Sequence, residues 1–377
     1  MTKNVCQFLV LVTVLCVTAC SNKPSDSSNL PAIIITPHME ANIIEGRNIV
    51  YCSTFQIAWN MLQDEILMEK ILLEGRPAIA DLLNKQLNSK KDISELSYVA
   101  MGGELTDDFL KQLNKSLREK FGNEAPPAVT APPGTAVLIY AFLYKNLLFN
   151  KEFEKLYEPI KFHAHGSQTS LRGFGINRAP YSKDVAHLRK QVTVFDYKAD
   201  DNFIIGLSSK WADDEIILAK TTPDQTLLET ILKVDGRIRN AMASSFLEEN
   251  EPLQIPVIEI DTVHSFGELK GKRIENGGKL HGYYISAALQ SIKFRLNETG
   301  ALLKSEAIER IAAAPNTGKR TFIFDKPFLI YLKQKNAKYP YFAMWVENTS
   351  ILVSHESRRN LEGLKKAITG LIGADNK

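Results

Sequence analysis

The chain is short of the residues that most often carry chemistry: its 377 residues include 4 Cys, 7 His and 3 Trp. Cys6, Cys16 and Cys20 fall in the first twenty positions, which leaves Cys52 alone. A lone thiol builds no disulfide framework. No activating group neighbours Cys52, so it reads as a buried, inert thiol rather than a nucleophile. Signature motifs are missing as well. There is no G-x-S-x-G, no H-E-x-x-H and no G-x-G-x-x-G behind a strand. The stretch NTGKRT (316–321) lacks the first glycine of a phosphate-binding loop. No side chain reads as a nucleophile with a base and an orienting partner, so an enzyme is not expected, nor a cofactor or metal. Charge of one sign is also lacking: 46 basic against 43 acidic residues give +3, with the basic residues scattered. That excludes a nucleic-acid footprint.

What is present is enough apolar sequence for a core. The chain is 44% hydrophobic and 24% charged, which suits one large domain or two ordinary ones. One pair of histidines invites a metal reading. His163 and His165 in FHAHG would share a face if the stretch were a strand. No third ligand stands nearby in the sequence, and strand histidines without a metal are the plainer reading.

The N-terminus reads as a targeting segment. The apolar run Val5–Val17 is too short for a comfortable membrane span and fits a signal core. It ends in VTAC, which resembles a bacterial lipobox. Residues 1–19 would then be a lipoprotein signal peptide, and Cys20 would carry the lipid on its thiol and freed amine. The Ser/Asn/Pro-rich stretch that follows makes 20–45 a flexible tether, with IIITP as a possible start of order. Ser21 lacks the acidic character linked to inner-membrane retention. The expected location is the cell envelope, lipid-anchored and extracytoplasmic, on the outer membrane if the cell has two.

Beyond the tether, helical patterns come first and strands dominate later. The run 48–73 turns from a strand into a helix, with Ile57, Met61, Leu62, Ile66 and Leu67 at helical period. Two more helices are predicted in RPAIADLLNKQLN and ELTDDFLKQLNKSLREKFG, then a Pro/Ala loop over 124–134. TAVLIYAFLY, QVTVFDY, NFIIGLSS, DEIILAKT, LQIPVIEID, YYISAALQSIKFRLN, KPFLIYLKQ and PYFAMWVEN read as strands, with a helix in DQTLLETILKVDGRIRNAM. A terminal helix or tail is expected over 356–377. This order implies an α+β fold with several sheets.

Several of these segments resemble the serpins, the serine-protease-inhibitor family. FRLNETGA is similar to the family's strand-to-loop hinge, with Asn297, Glu298, Thr299, Gly300 and Ala301 aligning without gaps. FDKPFLIYLKQKNAKYPYFAMWVEN resembles its closing strands through Phe324, Pro327, Phe328 and Leu329. LQIPVIEIDTVHSFGELKGK, KFHAHGSQTSLRGFGI and TAVLIYAFLYKN look like further family strands, the last with Asn146 where Gly is usual. NIVYCSTFQIAWNML resembles the family's shutter, which makes Asn48 and Ser53 shutter-like; Thr54 and Gln56 replace the usual Pro and Ser. The matches span roughly 48–350. The resemblance implies three β-sheets, a cluster of N-terminal helices and an exposed reactive loop at about 298–322, within a domain over 46–355. It also implies middle helices that are trimmed here.

The family's activity sets the functional expectation. A target protease cuts the loop, whose N-terminal part inserts as a strand and carries the bound protease with it. Such a strand buries every second residue. The inward set would be Ala301, Leu303, Ser305, Ala307, Glu309, Ile311 and Ala313, with Glu309 out of character. Counting from Gly300 puts the residue before the cut at Ala314, and counting back from Pro327 gives 313–316. The scissile candidates are therefore Ala313, Ala314, Pro315 and Asn316, and a small residue there suits an elastase-like serine or cysteine protease. Lys319-Arg320 would suit a trypsin-like enzyme but lies late. Leu302, Leu303 and Lys304 are bulky for the start of an inserting strand, and LLKSEAIERIAAA has helical character. The alternative reading is therefore a non-inhibitory binding module of the same fold. In either case a monomer is expected, with a target protease as partner in the first.

Overall fold

The computed structural model describes residues 32–356 except 133, 178–182, 211, 212, 242, 277 and 300–319. In chain order the strands are β1 (Ile33–Thr36), β2 (Asn48–Cys52), β3 (Tyr98–Glu104), β4 (Ala136–Asn146), β5 (Glu154–Lys155), β6 (Ile160–Ala164), β7 (Ser167–Leu171), β8 (Gly173–Ile176), β9 (Val192–Ala199), β10 (Asn202–Ser208), β11 (Asp214–Lys220), β12 (Ser245–Phe246), β13 (Leu253–Pro256), β14 (Ile258–Ser265), β15 (Tyr284–Leu296), β16 (Phe322–Ile323), β17 (Phe328–Gln334) and β18 (Phe342–Val346). The helices are α1 (Thr54–Met61), α2 (Ala78–Leu83), α3 (Asp107–Phe121), α4 (Lys183–Arg189) and α5 (Leu227–Arg239).

Three larger sheets and the β6–β7 hairpin organise the described residues. The large sheet has the order β1-β2-β18-β17-β11-β10-β9-β12. The front sheet is β14-β15-β4-β3, and a small sheet is β16-β13-β8-β5. The expected α+β architecture with three sheets is what the chain adopts.

Burial follows from the runs of sequence. FLIYL in β17 and FAMWV in β18 are apolar at consecutive positions, so both faces of the large sheet must be covered. One face packs on α5 through Leu227, Ile231 and Val234 against Ile204, Leu329 and Trp345. The other face meets the back of the front sheet and α1 in the main core. β4 is likewise apolar on both sides, with α3 in front through Leu113, Leu117 and Phe121. Thr226 and Glu229 close a capping box at the start of α5, which places that helix end within the run read as helical.

Three local features depart from the sequence reading. The folded part begins before residue 46: β1, inside the segment read as tether, pairs in parallel with β2 from Ile33↔Asn48 to Thr36↔Tyr51. The apolar IIIT stretch finds an open sheet edge, and that outweighs the loop-like composition around it. Helix α1 does not continue regularly to Leu67, because residues 62–67 form a wider π-turn that ends at Met68 in the left-handed conformation. LQIPVIEID is two strands in two sheets rather than one. The break falls at Val257, whose N–H donates to Arg172 and whose carbonyl accepts from Val353.

Candidate functional site

The site is the seam between β4 and β15, with the chain that leaves its upper end. The two strands are parallel and paired from Tyr284↔Ala136 to Arg295↔Asn146. β15 then delivers the chain directly to the loop segment.

The two loop ends are held very unequally. On the exit side, the N–H and hydroxyl of Thr299 both donate to Asn297 Oδ1, at 3.1 and 2.8 Å. Glu298 is buried; its carbonyl accepts from Phe153 N–H at 3.0 Å. Its Oε1 lies 3.5 Å from Lys155 Nζ, while Oε2 has no hydrogen-bond partner. On the return side, Arg320 grips the buried Glu251 through two nitrogens at 2.7 and 3.0 Å. Its guanidinium also lies over Phe322 and Tyr197. Lys220, itself buried, donates to Ile323 O at 2.9 Å and to Asp325 Oδ1 at 2.5 Å. A cut between the ends therefore leaves the return side held by two ion-paired cations, Arg320 and Lys220, and the exit side held by the Phe153–Glu298 backbone bond, one surface lysine and the local Asn297–Thr299 bonds.

Polar groups also mark the floor and the front of the seam. Behind it, Gln290 of β15 is buried, and its Nε2 donates to Cys52 O at 3.0 Å and Thr54 Oγ1 at 3.1 Å. Lys145 of β4 points into the same core and meets Asp214 of β11 at 2.5 Å. Gly102 lets α1 lie against β3, since a Cβ there would sit 2.6 Å from Ala58 O. In front, the segment after α3 crosses toward β15. Asn114 holds Val129 by two hydrogen bonds of 2.8 Å, and Glu124 reaches Lys293 at 2.6 Å. The Lys293 ammonium holds the Glu124 carboxyl below the usual carboxylate range and is itself held up by that carboxylate.

Cys52 lies at this floor with Sγ 3.2 Å from Thr54 Oγ1, and burial pushes its thiol up to about 11. Almost none is thiolate at neutral pH, and the thiolate is the reactive form. With Cys6, Cys16 and Cys20 changed to Ser, native chain at pH 7.5 is expected to take up no maleimide over an hour. The denatured chain should take up one equivalent. Full labelling of the native chain would show that the floor opens readily.

The structure separates several residues that the sequence grouped. Asn48 lies away from the seam. Its Nδ2 donates to Asn348 Oδ1 at 2.8 Å and to Ser350 Oγ at 2.9 Å, and its Oδ1 accepts from the N–H groups of Glu347 and Asn348. Ser53 is at the start of α1, fully buried, its N–H donating to Tyr341 O and its hydroxyl without a hydrogen-bond partner. It is the neighbouring Thr54 that meets β15. Gly300, Ala301, Ala313, Ala314, Pro315 and Asn316 lie outside the described residues, as does Cys20. His163 and His165 do not converge. His163 bonds Gln168 on the adjacent strand, whereas His165 has turned off the strand with φ +48° and sits 2.9 Å from Glu347. Among the described residues no cluster of three or more His, Cys, Asp or Glu could hold a metal ion.

Two open grooves lie along β9, one of about 410 Å³ beside Arg320 and Ser245 and one of about 530 Å³ against α5. Most of their cations are paired inside the protein, Arg237 with Asp196 at 2.7 Å and Lys233 with Asp224 at 3.1 Å.

No protein-family model matches the chain, and no curated protein does. Solved structures do match. Serpin-12 of Manduca sexta is 13% identical with a TM-score of 0.50, over 80% of this chain and 92% of that one. Thyroxine-binding globulin in complex with thyroxine is 10% identical with a TM-score of 0.51, at the same coverage. The mouse protein-Z-dependent protease inhibitor is 11% identical with a TM-score of 0.51, over 80% of this chain and 91% of that one. Together with the parallel seam and the chain that leaves it, these likenesses show that this chain has the serpin fold.

Proposed function

We propose that the chain is a suicide-substrate inhibitor of serine or cysteine proteases, acting from the cell envelope through a lipid on Cys20. The observation that carries this reading is the parallel β4–β15 pair, with β15 running straight into the loop. A chain that turns back at the end of β15 runs antiparallel to both strands. A strand laid between them exchanges one parallel ladder for two antiparallel ones, which are the more stable per residue. β4 is 11 residues long. A cut at 313–316 frees a segment from Gly300 of about that length, at about 3.3 Å per residue.

The chemistry belongs to the protease. Its nucleophile attacks the carbonyl before the cut, the C–N bond breaks, and the amine leaves with a proton. The loop's N-terminal part stays bound as an acyl-enzyme. If insertion outruns hydrolysis, the ester or thioester persists. An Ala at 313 or 314 fits a small, apolar first pocket, so an elastase-like target is preferred.

Incubation of the chain with pancreatic elastase, read on a denaturing gel, tests this. The expected result is a covalent complex about one protease heavier than the cut chain, with the new N-terminus at 314–317. Clean cleavage without complex would contradict inhibition. It would favour the second reading, a binding module on the same fold. That reading is supported by the bulky Leu302 and Leu303 after the hinge, and by a likeness that includes a thyroxine-binding protein.

A further inference from the structure

The front sheet has two halves, and they are attached to the body differently. β14, the partner of β15, continues from the small-sheet strand β13 through Val257, which bonds Arg172 and Val353 by backbone. Phe266, just past β14, packs on Phe55 of α1 with ring centroids 4.4 Å apart. β3, β4 and α3 share a second hydrophobic cluster on the outer face, against which Ala287 and Leu289 of β15 also pack, while the inner faces of β3 and β4 join the main core. A strand inserted between β4 and β15 must push them apart by about 4.8 Å, one strand spacing. Any such separation moves β4, with its neighbours β3 and α3, relative to β15.

Among the described residues, a buried ion pair ties β4 to the large sheet. Lys145, the penultimate residue of β4, sits opposite Phe294 and so near the end where the loop leaves. Its side chain is 6% exposed and that of Asp214 is 4% exposed. Ser97 Oγ adds a second contact at 3.4 Å, and the ammonium lies 5.6 Å from the centre of the Tyr341 ring. The corresponding tie on β15 is neutral: Gln290 donates to Cys52 and Thr54, and its Oε1 has no hydrogen-bond partner. Shearing a buried ion pair leaves two charges in a low-dielectric interior, whereas a neutral amide loses far less.

We propose that Lys145 and Asp214 are positioning residues that lock the seam and set the rate at which it opens. This rests on the insertion reading above, because the lock's consequence is the partition between trapping and escape. A pair intact in the closed sheet and broken in the opening transition state raises the opening barrier alone. Replacing both partners by apolar residues of similar size removes the lock without stranding a charge.

The experiment uses the full chain in detergent and compares it with Lys145→Met/Asp214→Leu and with the polar, uncharged pair Lys145→Gln/Asp214→Asn. Hydrogen exchange of the β4 and β15 amides is measured before any cut. The half-time for the heat-stable form to appear is measured after cleavage. The apolar variant is expected to exchange at the seam roughly tenfold faster and to convert roughly tenfold faster, with Lys145→Gln/Asp214→Asn between. It should also give more covalent complex per cut. Seam exchange and half-times equal to those of the natural chain would overturn the lock. A heat-stable form that appears in none of the chains sinks the insertion reading instead, and the exchange of the uncut chains still decides the lock. Lys145→Gln/Asp214→Asn stays close to the natural volume and strands no charge, so it decides the matter should the apolar variant fail to fold.

Discussion

Replacing Asp214 alone by Ala is expected to destabilise the chain by about 3–5 kcal/mol, the cost of leaving a buried ammonium without its partner. Lys145 cannot escape to water. It projects from a strand buried on both faces, between Ser97, Tyr341 and the first residue of β11. At about 2–4 °C per kcal/mol, the melting temperature should fall by roughly 10 °C. Lys145→Met/Asp214→Leu should lose much less, because replacing a buried pair by well-packed apolar residues is often neutral. Urea unfolding of the two variants checks this. If the single and double variants lost the same stability, the lysine would be reaching solvent or another anion, and the buried tie would not exist.

A second large effect concerns the loop. Ala301 is the first inward position of the would-be strand, so Ala301→Arg would bring an unpaired guanidinium between the front sheet and the core. Burying such a charge costs several kcal/mol, more than a partly inserted strand gains. Protease should cut the variant as fast as the natural chain, since the cut lies a dozen residues away. The yield of covalent complex should fall at least about tenfold, because hydrolysis then wins the race. Leu302→Arg points the other way in the strand and should be far milder. Equal loss from the two changes would mean that the alternating pattern does not describe an inserted strand.

The sequence made the strands of the core legible because continuous apolar runs such as FLIYL and FAMWV have few other ways to be buried. NETGA offers a signal of a different kind, its resemblance to a known pattern. What escaped was long-range. Lys145 and Asp214 are 69 residues apart, and nothing local marks either as paired. In hindsight, each is a polar residue bordering an apolar strand run, as Gln290 is within one, and that is a signal worth following. Asn48 reads as shutter-like through the resemblance of its neighbours, and its place in β2, where it ties residues 347–350, is equally invisible locally. The split at Val257 was hidden because both halves of LQIPVIEID are equally strand-like. Only the backbone partners of Val257 decide which sheet each half joins.

The central claim is that the cut loop enters the seam between β4 and β15. The direct measurement is the melting temperature of the chain before and after a single cut in 300–319, with both fragments retained. Burying residues such as Leu303 and Ile311, at about 1.5–3 kcal/mol each, together with a second ladder, implies a rise of about 10 °C or more. A cut chain that melts at or below the temperature of the uncut chain would contradict insertion, and with it the proposed mode of inhibition.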